Sequence, residues 1–193
     1  MSKIPTDLLK YELRKLQLKV SEESRSSFLT FVKKVWPEFV AGSHHKIIAE
    51  KFEDISRGKI KRLIVNMPPR HTKSEFASNL FPSWMMGRNP KLKIIQTTHT
   101  AELSYNFGRK VRNLFDQQEF KDVFPDVSLS QDSKAAGRFT TNKGGEYFAA
   151  GVGGAITGRG ADLLIIDDPH SEQDALSQTA LDNAYEWYTS GPR

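Results

Sequence analysis

The chain contains no cysteine among its 193 residues, and it contains no long apolar run. Without cysteine it forms neither disulfides nor thiolate zinc sites, and this composition is typical of a reducing compartment. Without eighteen consecutive apolar residues it offers no candidate for a membrane-spanning helix. The segment Met1–Asp7 also lacks the apolar core of a signal peptide. We therefore expect a chain that is neither inserted into a membrane nor secreted.

Neither sign of charge is concentrated in one block of the sequence. The 28 basic and 23 acidic residues give a formal net charge of +5 and a pI near 9.3. This balance permits contact with the phosphate backbone of nucleic acid, and it is equally typical of a mildly basic soluble enzyme. The length suits one domain, with at most a small appendage, and we find no internal repeats.

Glycine is missing where a phosphate-binding loop normally needs it. The usual loop reads G-x-x-x-x-G-K-[ST] and connects a buried strand to a helix, so that backbone N–H groups surround the phosphates. In the stretch Asn66–Glu75, Lys73 and Ser74 match this pattern, whereas Met67 and Thr72 stand at the two glycine positions. A helix N-terminus at this point would still favour an anion. The alternative is an ordinary exposed helix start.

Hydrophobic periodicity predicts alternating strands and helices. The predicted strands are Lys61–Asn66, Leu92–Thr97, Arg138–Thr141, Glu146–Ala150 and Leu163–Ile166, the third and fourth forming a hairpin. Three helices are predicted before the phosphate-loop candidate: Thr6–Val20, a segment from Ser27 that ends near Trp36-Pro37, and one capped by Ser43. Three more follow it: one after Ser74 that Pro82 kinks or ends, one carrying Leu103 to Leu114, and Gln173–Thr189. The segment Phe120–Ala136 reads as irregular. This alternation predicts an α/β fold with a parallel sheet, whose ligands gather at the carboxyl ends of the strands.

Two adjacent aspartates end the last apolar strand. Asp167 and Asp168 follow Leu163–Ile166, and they alone indicate no more than a capped turn before Pro169. Together with the Lys-Ser pair they indicate nucleotide hydrolysis. Asp167 would hold Mg²⁺ beside the hydroxyl of Ser74, and Asp168 would orient or deprotonate the attacking water.

The glycine-rich segment Gly151–Gly160 does not match the dinucleotide-binding pattern. Ile156 stands where the third glycine belongs, and the segment precedes a strand instead of following one. We therefore expect no NAD or FAD site here.

Four strings together resemble the ATPase half of the large terminase subunit of tailed bacteriophages, the motor that packages double-stranded DNA into the procapsid. They are His44-His45, Met67–Glu75, Gly158–Asp162 and Leu164–Pro169. The resemblance covers the chain from about Phe28 to Arg193. It implies a P-loop NTPase fold of the ASCE type, with a mostly parallel sheet flanked by helices. Combined with the helical pattern of the N-terminus, it predicts a helical arm or lid over residues 1–40 and an ATPase domain over residues 41–193.

The resemblance also implies roles for individual residues. The ATP-binding set would be Pro69, Arg70, His71, Thr72, Lys73, Ser74, His44 and His45. Mg²⁺ would be held by Ser74 and Asp167, and the catalytic residues would be Lys73, Asp168 and Arg159. Arg159 matches an arginine finger that reaches into the neighbouring subunit's site, and a loop arginine paired with Asp162 or solvent is the alternative. For the two histidines, a capped helix start is the alternative to a contact with adenine. The string Gln96–Thr100 is open between sensing the γ-phosphate and capping the next helix.

The implied partners are double-stranded DNA, a homo-oligomeric ring on the portal and the small terminase subunit, and the implied location is the cytoplasm of the bacterial host. The nuclease domain of a complete large terminase has no counterpart in this chain, so we expect no DNA cleavage from it; it is then a truncated chain or a naturally short or split gene product. Two further interpretations stay open. One is another nucleic-acid-stimulated P-loop ATPase, such as a helicase-like enzyme, and the other is a catalytically weak P-loop module that serves in docking.

Overall fold

The structure is a computed structural model that describes residues 6–156 and 158–191. The chain divides into two compact units. The first comprises the chain up to Val65 together with Gln118–Pro125, and the second comprises Asn66–Gln117 together with the chain from Asp126 onward. The predicted boundary at residue 40 falls inside the first unit and stays a prediction.

The described residues form seven α-helices and five strands. The helices are α1 Thr6–Ser26, α2 Phe28–Val35, α3 Ser43–Ser56, α4 Phe81–Arg88, α5 Ala101–Leu114, α6 Gln118–Val123 and α7 Gln178–Ser190. The strands are β1 Lys93–Thr98, β2 Leu129–Ala135, β3 Arg138–Thr141, β4 Glu146–Gly151 and β5 Leu163–Ile166. A π-helical turn, Glu75–Leu80, precedes α4, and a short 3₁₀ helix, Asp174–Leu176, precedes α7. Within the described ranges, no helix combines the length and the apolar character needed to cross a bilayer.

The first unit is built from helices packed through aromatic side chains. Phe28 and Phe31 of α2 are fully buried and contact Phe52 and Phe120 edge to face, with ring centroids 5.5 and 6.3 Å apart. The helix α2 ends at Val35, as the Trp36-Pro37 pair predicts.

The prediction that α1 stops at Val20 is wrong, since the helix continues to Ser26. Ser21 and Ser24, which lie just beyond the predicted end, are buried. The Ser24 hydroxyl donates to the Val20 carbonyl at 2.7 Å, so its polar group is satisfied inside the helix.

The second unit contains a five-stranded mixed sheet in the order β2-β3-β4-β1-β5. The strand β1 runs parallel to both β4 and β5, and β3 runs antiparallel to β4 and to β2. The α/β class, the hairpin and the last strand are thereby confirmed. The prediction of a mostly parallel sheet is wrong, because two of the four strand pairs are antiparallel. The segment predicted as irregular contains most of α6 and all of β2. The predicted final helix is divided, because Ser177 is extended and caps α7 by accepting from the Ala180 N–H at 3.3 Å.

The predicted strand Lys61–Asn66 is wrong, because this segment has no strand structure. Its side chains also do not enter a core, and Ile64 is 86% exposed. A short apolar run becomes a strand only where a neighbouring strand pairs with its backbone and a core receives its side chains. The phosphate-loop candidate is therefore entered from a segment without strand or helix structure and not from the sheet.

The helix α5 lies close to one face of the sheet. A Cβ added to Gly108 would come within 2.1 Å of the Ala136 carbonyl oxygen, so only glycine fits at this point of α5. The same face buries Tyr147 completely, and its ring stacks on Phe139 with centroids 4.8 Å apart. Within the described part of the chain, the Tyr147 hydroxyl has no hydrogen-bond partner, and burial raises the pKa of this phenol.

Replacing Tyr147 with phenylalanine is expected to stabilise the fold. The substitution keeps the stacked ring and removes a buried hydroxyl whose desolvation costs about 1–3 kcal/mol. We expect the free energy of unfolding in urea to rise by about 1 kcal/mol. The matched control is Tyr185→Phe, since Tyr185 is 68% exposed. A loss of stability in Tyr147→Phe alone would show that the hydroxyl has a partner.

The helix after the phosphate-loop candidate passes through Pro82. It begins at Lys73, widens into the π-helical turn, and continues as α4 to Arg88 with Pro82 buried in the first turn of α4. Proline removes one helical N–H and its ring crowds the preceding turn. A π-turn just before it gives that ring room, which explains why the helix neither ends nor restarts there.

Candidate functional site

The candidate site lies where β5 ends. The Lys73 ammonium forms an ion pair with the Asp168 carboxylate, and it lies 3.7 Å from Asp167 Oδ1. Asp167 is buried, whereas the Asp168 side chain is 60% exposed. Asp167 and Asp168 follow Lys73 by 94 and 95 residues in the sequence (167 − 73 and 168 − 73). The two predicted motifs therefore meet at the carboxyl end of the sheet.

The charges of this group are coupled. Burial opposes the charged form of Lys73, but the bond and the charge of Asp168, together with Asp167, outweigh it and raise the pKa of the lysine. Lys73 is therefore cationic at neutral pH. A raised lysine pKa means that this pairing stabilises the fold fully below the unfolded value near 10.5, and the contribution is lost as the pH rises above it.

Two side chains hold Asp167 in place, namely Ser78, which the sequence did not single out, and Gln96 of the predicted polar string. The Ser78 hydroxyl donates to Asp167 Oδ2 at 2.8 Å, and Gln96 Nε2 donates to Ser78 Oγ at 3.1 Å. All three side chains are buried. The signal for Ser78 was its position four residues beyond Ser74, one turn along the same helix. The metal role of Ser74 stays a prediction.

The loop before Lys73 adopts the left-handed backbone that glycine favours. The values of φ are 63° at Arg70 and 63° at Thr72, and Asp168 has a φ of 44°. Thr72 thus has a backbone conformation that glycine favours, while Met67 has no positive φ. The Thr72 hydroxyl donates to the His71 carbonyl at 2.6 Å, a local bond that supports the strained turn.

Replacing Thr72 with glycine is expected to relieve this strain. A left-handed conformation costs about 1–2 kcal/mol for a side chain with a Cβ, and the greater entropy of unfolded glycine offsets about 0.5–1 kcal/mol. We expect a net gain of about 0.5–1 kcal/mol in the free energy of unfolding. The control Thr72→Ala removes the hydroxyl and keeps the Cβ, so it should not stabilise. If both variants changed the free energy of unfolding equally in a urea titration, the left-handed backbone at Thr72 would not be strained.

Arg159 lies at the other end of the same sheet. Its Nη1 is 3.2 Å from Glu146 Oε1, at the start of β4, and its guanidinium stacks on Phe148 with Cζ 4.0 Å from the ring centroid. Lys73 and Asp168 meet beyond the end of β5, which lies beside β1 and runs in the same direction as β4. The structure therefore does not bring Arg159 to Lys73 of the same chain. The alternative partner Asp162 instead accepts from the Lys93 N–H through its side chain, at 2.8 Å.

The two histidines belong to the first unit. His45 is buried, and its Nδ1 accepts from the Gly42 N–H at 2.9 Å, so the ring satisfies a backbone donor at the start of α3. The N-cap is therefore Gly42 and not Ser43. The His45 ring also packs edge to face on Phe39 at 4.7 Å. These contacts are those of the helix-start alternative, and a contact of His44 or His45 with adenine stays a prediction.

The polar string Gln96–Thr100, which includes the end of β1, divides into several roles. Thr100 caps α5, since its hydroxyl accepts from the Leu103 N–H at 3.2 Å. Thr98 instead donates to the Thr100 carbonyl at 2.7 Å, and the His99 N–H donates to the Asp168 carbonyl at 3.2 Å. His99 therefore fixes the backbone at Asp168, and Gln96 supports Asp167 through Ser78.

The donors present at this site suit a magnesium ion bound together with a phosphate. Mg²⁺ uses one or two carboxylates and completes its shell with water and substrate phosphates. The Asp167 carboxylate and the Ser78 hydroxyl bonded to it supply oxygen atoms of this kind. Within the described residues, no group of three or more His, Asp or Glu side chains forms a site made by protein alone.

Comparison of the chain with protein-family models, with curated proteins and with solved structures returns no match.

Proposed function

We propose that the chain is a Mg²⁺-dependent ATPase of the P-loop class and that it serves as the ATPase part of a motor that moves double-stranded DNA. The observation that carries the proposal is the meeting of Lys73 with Asp167 and Asp168 at the carboxyl end of β5. A phosphate-binding lysine at a helix start and a carboxylate pair at a strand end are the two halves of this class of site.

Each residue has a defined task in the proposal. Lys73 binds the terminal phosphates, and Asp167, positioned by Ser78, holds Mg²⁺. The metal, when bound, neutralises charge that develops on the phosphate oxygens. Asp168 is exposed enough to contact water, and as a general base it orients or deprotonates the attacking molecule.

The DNA-packaging part of the proposal depends on the four strings that resemble the large terminase subunit, and on the basic charge of the chain. Double-stranded DNA, a ring of identical subunits, the small terminase subunit and the cytoplasm of a bacterial host belong to this part. A helicase-like ATPase shares the same catalytic residues, and stimulation by single-stranded in place of double-stranded DNA would favour it.

Two observations favour a docking module. Two side-chain-bearing residues, Arg70 and Thr72, occupy left-handed positions in the loop, and Lys73 is already paired with carboxylates. A phosphate must replace these carboxylates on Lys73, which lowers affinity.

The Asp168→Asn variant separates an ATPase from a docking module. Asparagine keeps the size of the side chain but is no base, so we expect kcat to fall by about a hundredfold with little change in ATP affinity. The measurement is steady-state phosphate release with Mg²⁺ and double-stranded DNA, beside calorimetric titration of ATP. Asp182→Asn on exposed α7 is the matched control. Equal rates of phosphate release in wild type and Asp168→Asn, independent of Mg²⁺, would refute the proposed ATPase activity.

A further inference from the structure

The helix α1 leaves a row of large apolar side chains uncovered. Leu9, Leu13, Leu16 and Val20 are between 38% and 61% exposed. The side chains that α1 buries in its own unit lie nearer its end, where Ser21 and Ser24 are covered and the Arg25 side chain donates to the Val123 carbonyl at 2.7 Å. Exposed apolar residues scattered singly are normal, but a continuous row on one helix marks an interaction surface.

The spacing of this row is that of a coiled-coil seam. The intervals between the four residues are four, three and four, which is the a/d pattern of a heptad repeat. The other exposed apolar residues of α1, Leu8, Tyr11 and Leu18, lie on a different side of the helix. There, Lys15 and Glu22 interrupt the corresponding row. The seam therefore predicts a partner that is itself a helix.

The charges beside the seam select the partner and its direction. Glu12 and Lys19 directly precede the a positions of the seam, Leu13 and Val20, and therefore occupy flanking g positions. In an antiparallel pair of identical helices, g positions face each other, so Glu12 meets Lys19 of the second copy, and symmetry repeats this pair. In a parallel pair, g faces e, and Glu12 would meet Gln17 while Lys19 would meet Ser24. Only the antiparallel arrangement gives opposite charges.

We propose that α1 forms an antiparallel two-helix interface with α1 of a second copy of this chain. Leu13 then packs on Leu16 of the second copy, and Leu9 packs on its Val20. The seam spans two heptads, so association is weak and reversible, with a dissociation constant of about 10–100 µM. This interface is independent of the ATPase proposal, since it uses no residue of the Lys73 site.

Sedimentation velocity of the full chain between about 5 and 300 µM tests the proposal across the expected dissociation range. The wild type should shift from monomer to dimer. Leu16→Asp should weaken association at least about tenfold, because it places a charge in the seam. Leu18→Asp is the matched control, since Leu18 and Leu16 are 60% and 59% exposed on the same helix, and it should dimerise like the wild type. A wild-type chain that stays monomeric at the highest concentration leaves the seam to another occupant and overturns the proposal, as does equal weakening by both variants.

Charge reversal tests the direction of the helices. Glu12→Lys and Lys19→Glu should each weaken the dimer by about threefold to tenfold, because each creates two like-charge pairs. The double variant exchanges the two charges and should restore wild-type association. Failure of the double variant to recover would overturn the antiparallel arrangement. Circular dichroism of each variant verifies that α1 remains helical.

Discussion

Replacing Lys73 with alanine is expected to lower kcat/KM for ATP by about 10³-fold or more. Loss of one preorganised donor to a transferring group costs about 10²–10³ in kcat, and loss of a charged hydrogen bond lowers affinity by a further factor of about ten or more. In the structure the ammonium is held at the end of β5 by Asp168, so it is positioned to act there. Calorimetric titration of ATP and steady-state hydrolysis measure the two factors separately.

The Lys73→Ala variant also leaves Asp167 without its cation, and a buried carboxylate that loses a partner destabilises a fold. Lys73→Gln therefore accompanies it, because glutamine still donates a hydrogen bond to a carboxylate but has no charge. Lys91→Ala serves as the control for a loss of positive charge elsewhere in the same unit, where the lysine is exposed. Unchanged ATP affinity in folded Lys73→Gln would exclude Lys73 from a nucleotide site.

Replacing Arg159 with alanine is expected to lower kcat by about 10³-fold and to leave ATP affinity unchanged. A guanidinium that stabilises the transferring phosphoryl group contributes about 10³–10⁵ to the rate. Within one chain Arg159 is bound to Glu146 at the start of β4, away from Lys73, so this effect requires a neighbouring chain. Gly158, with a φ of 81°, and Gly160 flank the arginine and allow the loop to change its conformation.

Mixing two inactive variants tests this arrangement. Arg159→Ala retains an intact Lys73–Asp168 site, and Asp168→Asn retains the arginine, so a mixed assembly contains complete sites and should regain part of the activity. The wild-type rate should also rise more steeply than linearly with protein concentration. A linear rise without complementation would assign Arg159 a purely structural role, in which its stacking on Phe148 supports the sheet. Arg159→Lys keeps the charge and loses the planar fork, so it should not restore the rate.

Parts of the fold were predictable because local chemistry decides them. The hairpin β3–β4 follows from alternating side chains around a Gly-containing turn, and β5 follows from four consecutive apolar residues. The segment Lys61–Asn66 has a similar apolar run but no strand structure, because pairing depends on a neighbouring edge that a local pattern does not contain. The continuation of α1 through Ser21 and Ser24 likewise depends on how their hydroxyls are satisfied.

In the candidate site, too, some residues were predictable from the sequence and others were not. Lys73, Asp167 and Asp168 were predictable because their chemistry and their places at element ends indicate one location. Ser78 was not, since a buried serine has no distinctive pattern beyond its spacing from Ser74, and its importance arises from its hydrogen bond to Asp167. Gln96 belongs to the predicted polar string, but its support of Asp167 through Ser78 is visible only in the structure. The left-handed backbone at Thr72 was foreseeable only as a glycine position occupied by another residue.

The π-helical turn determines how the side chains before it are rotated about the helix axis relative to those after it. Each residue of an α-helix advances the side-chain direction by about 100°. Relative to a regular α-helix, a π-turn contains one additional residue, so Lys73, which precedes the turn, is offset from the buried Trp84 by that step. Deleting one residue between 75 and 80 would restore regular winding and turn the first part of the helix away from Asp167 while Trp84 stays in the core. The length of this turn is therefore a determinant of the site, separate from the identity of any residue in it.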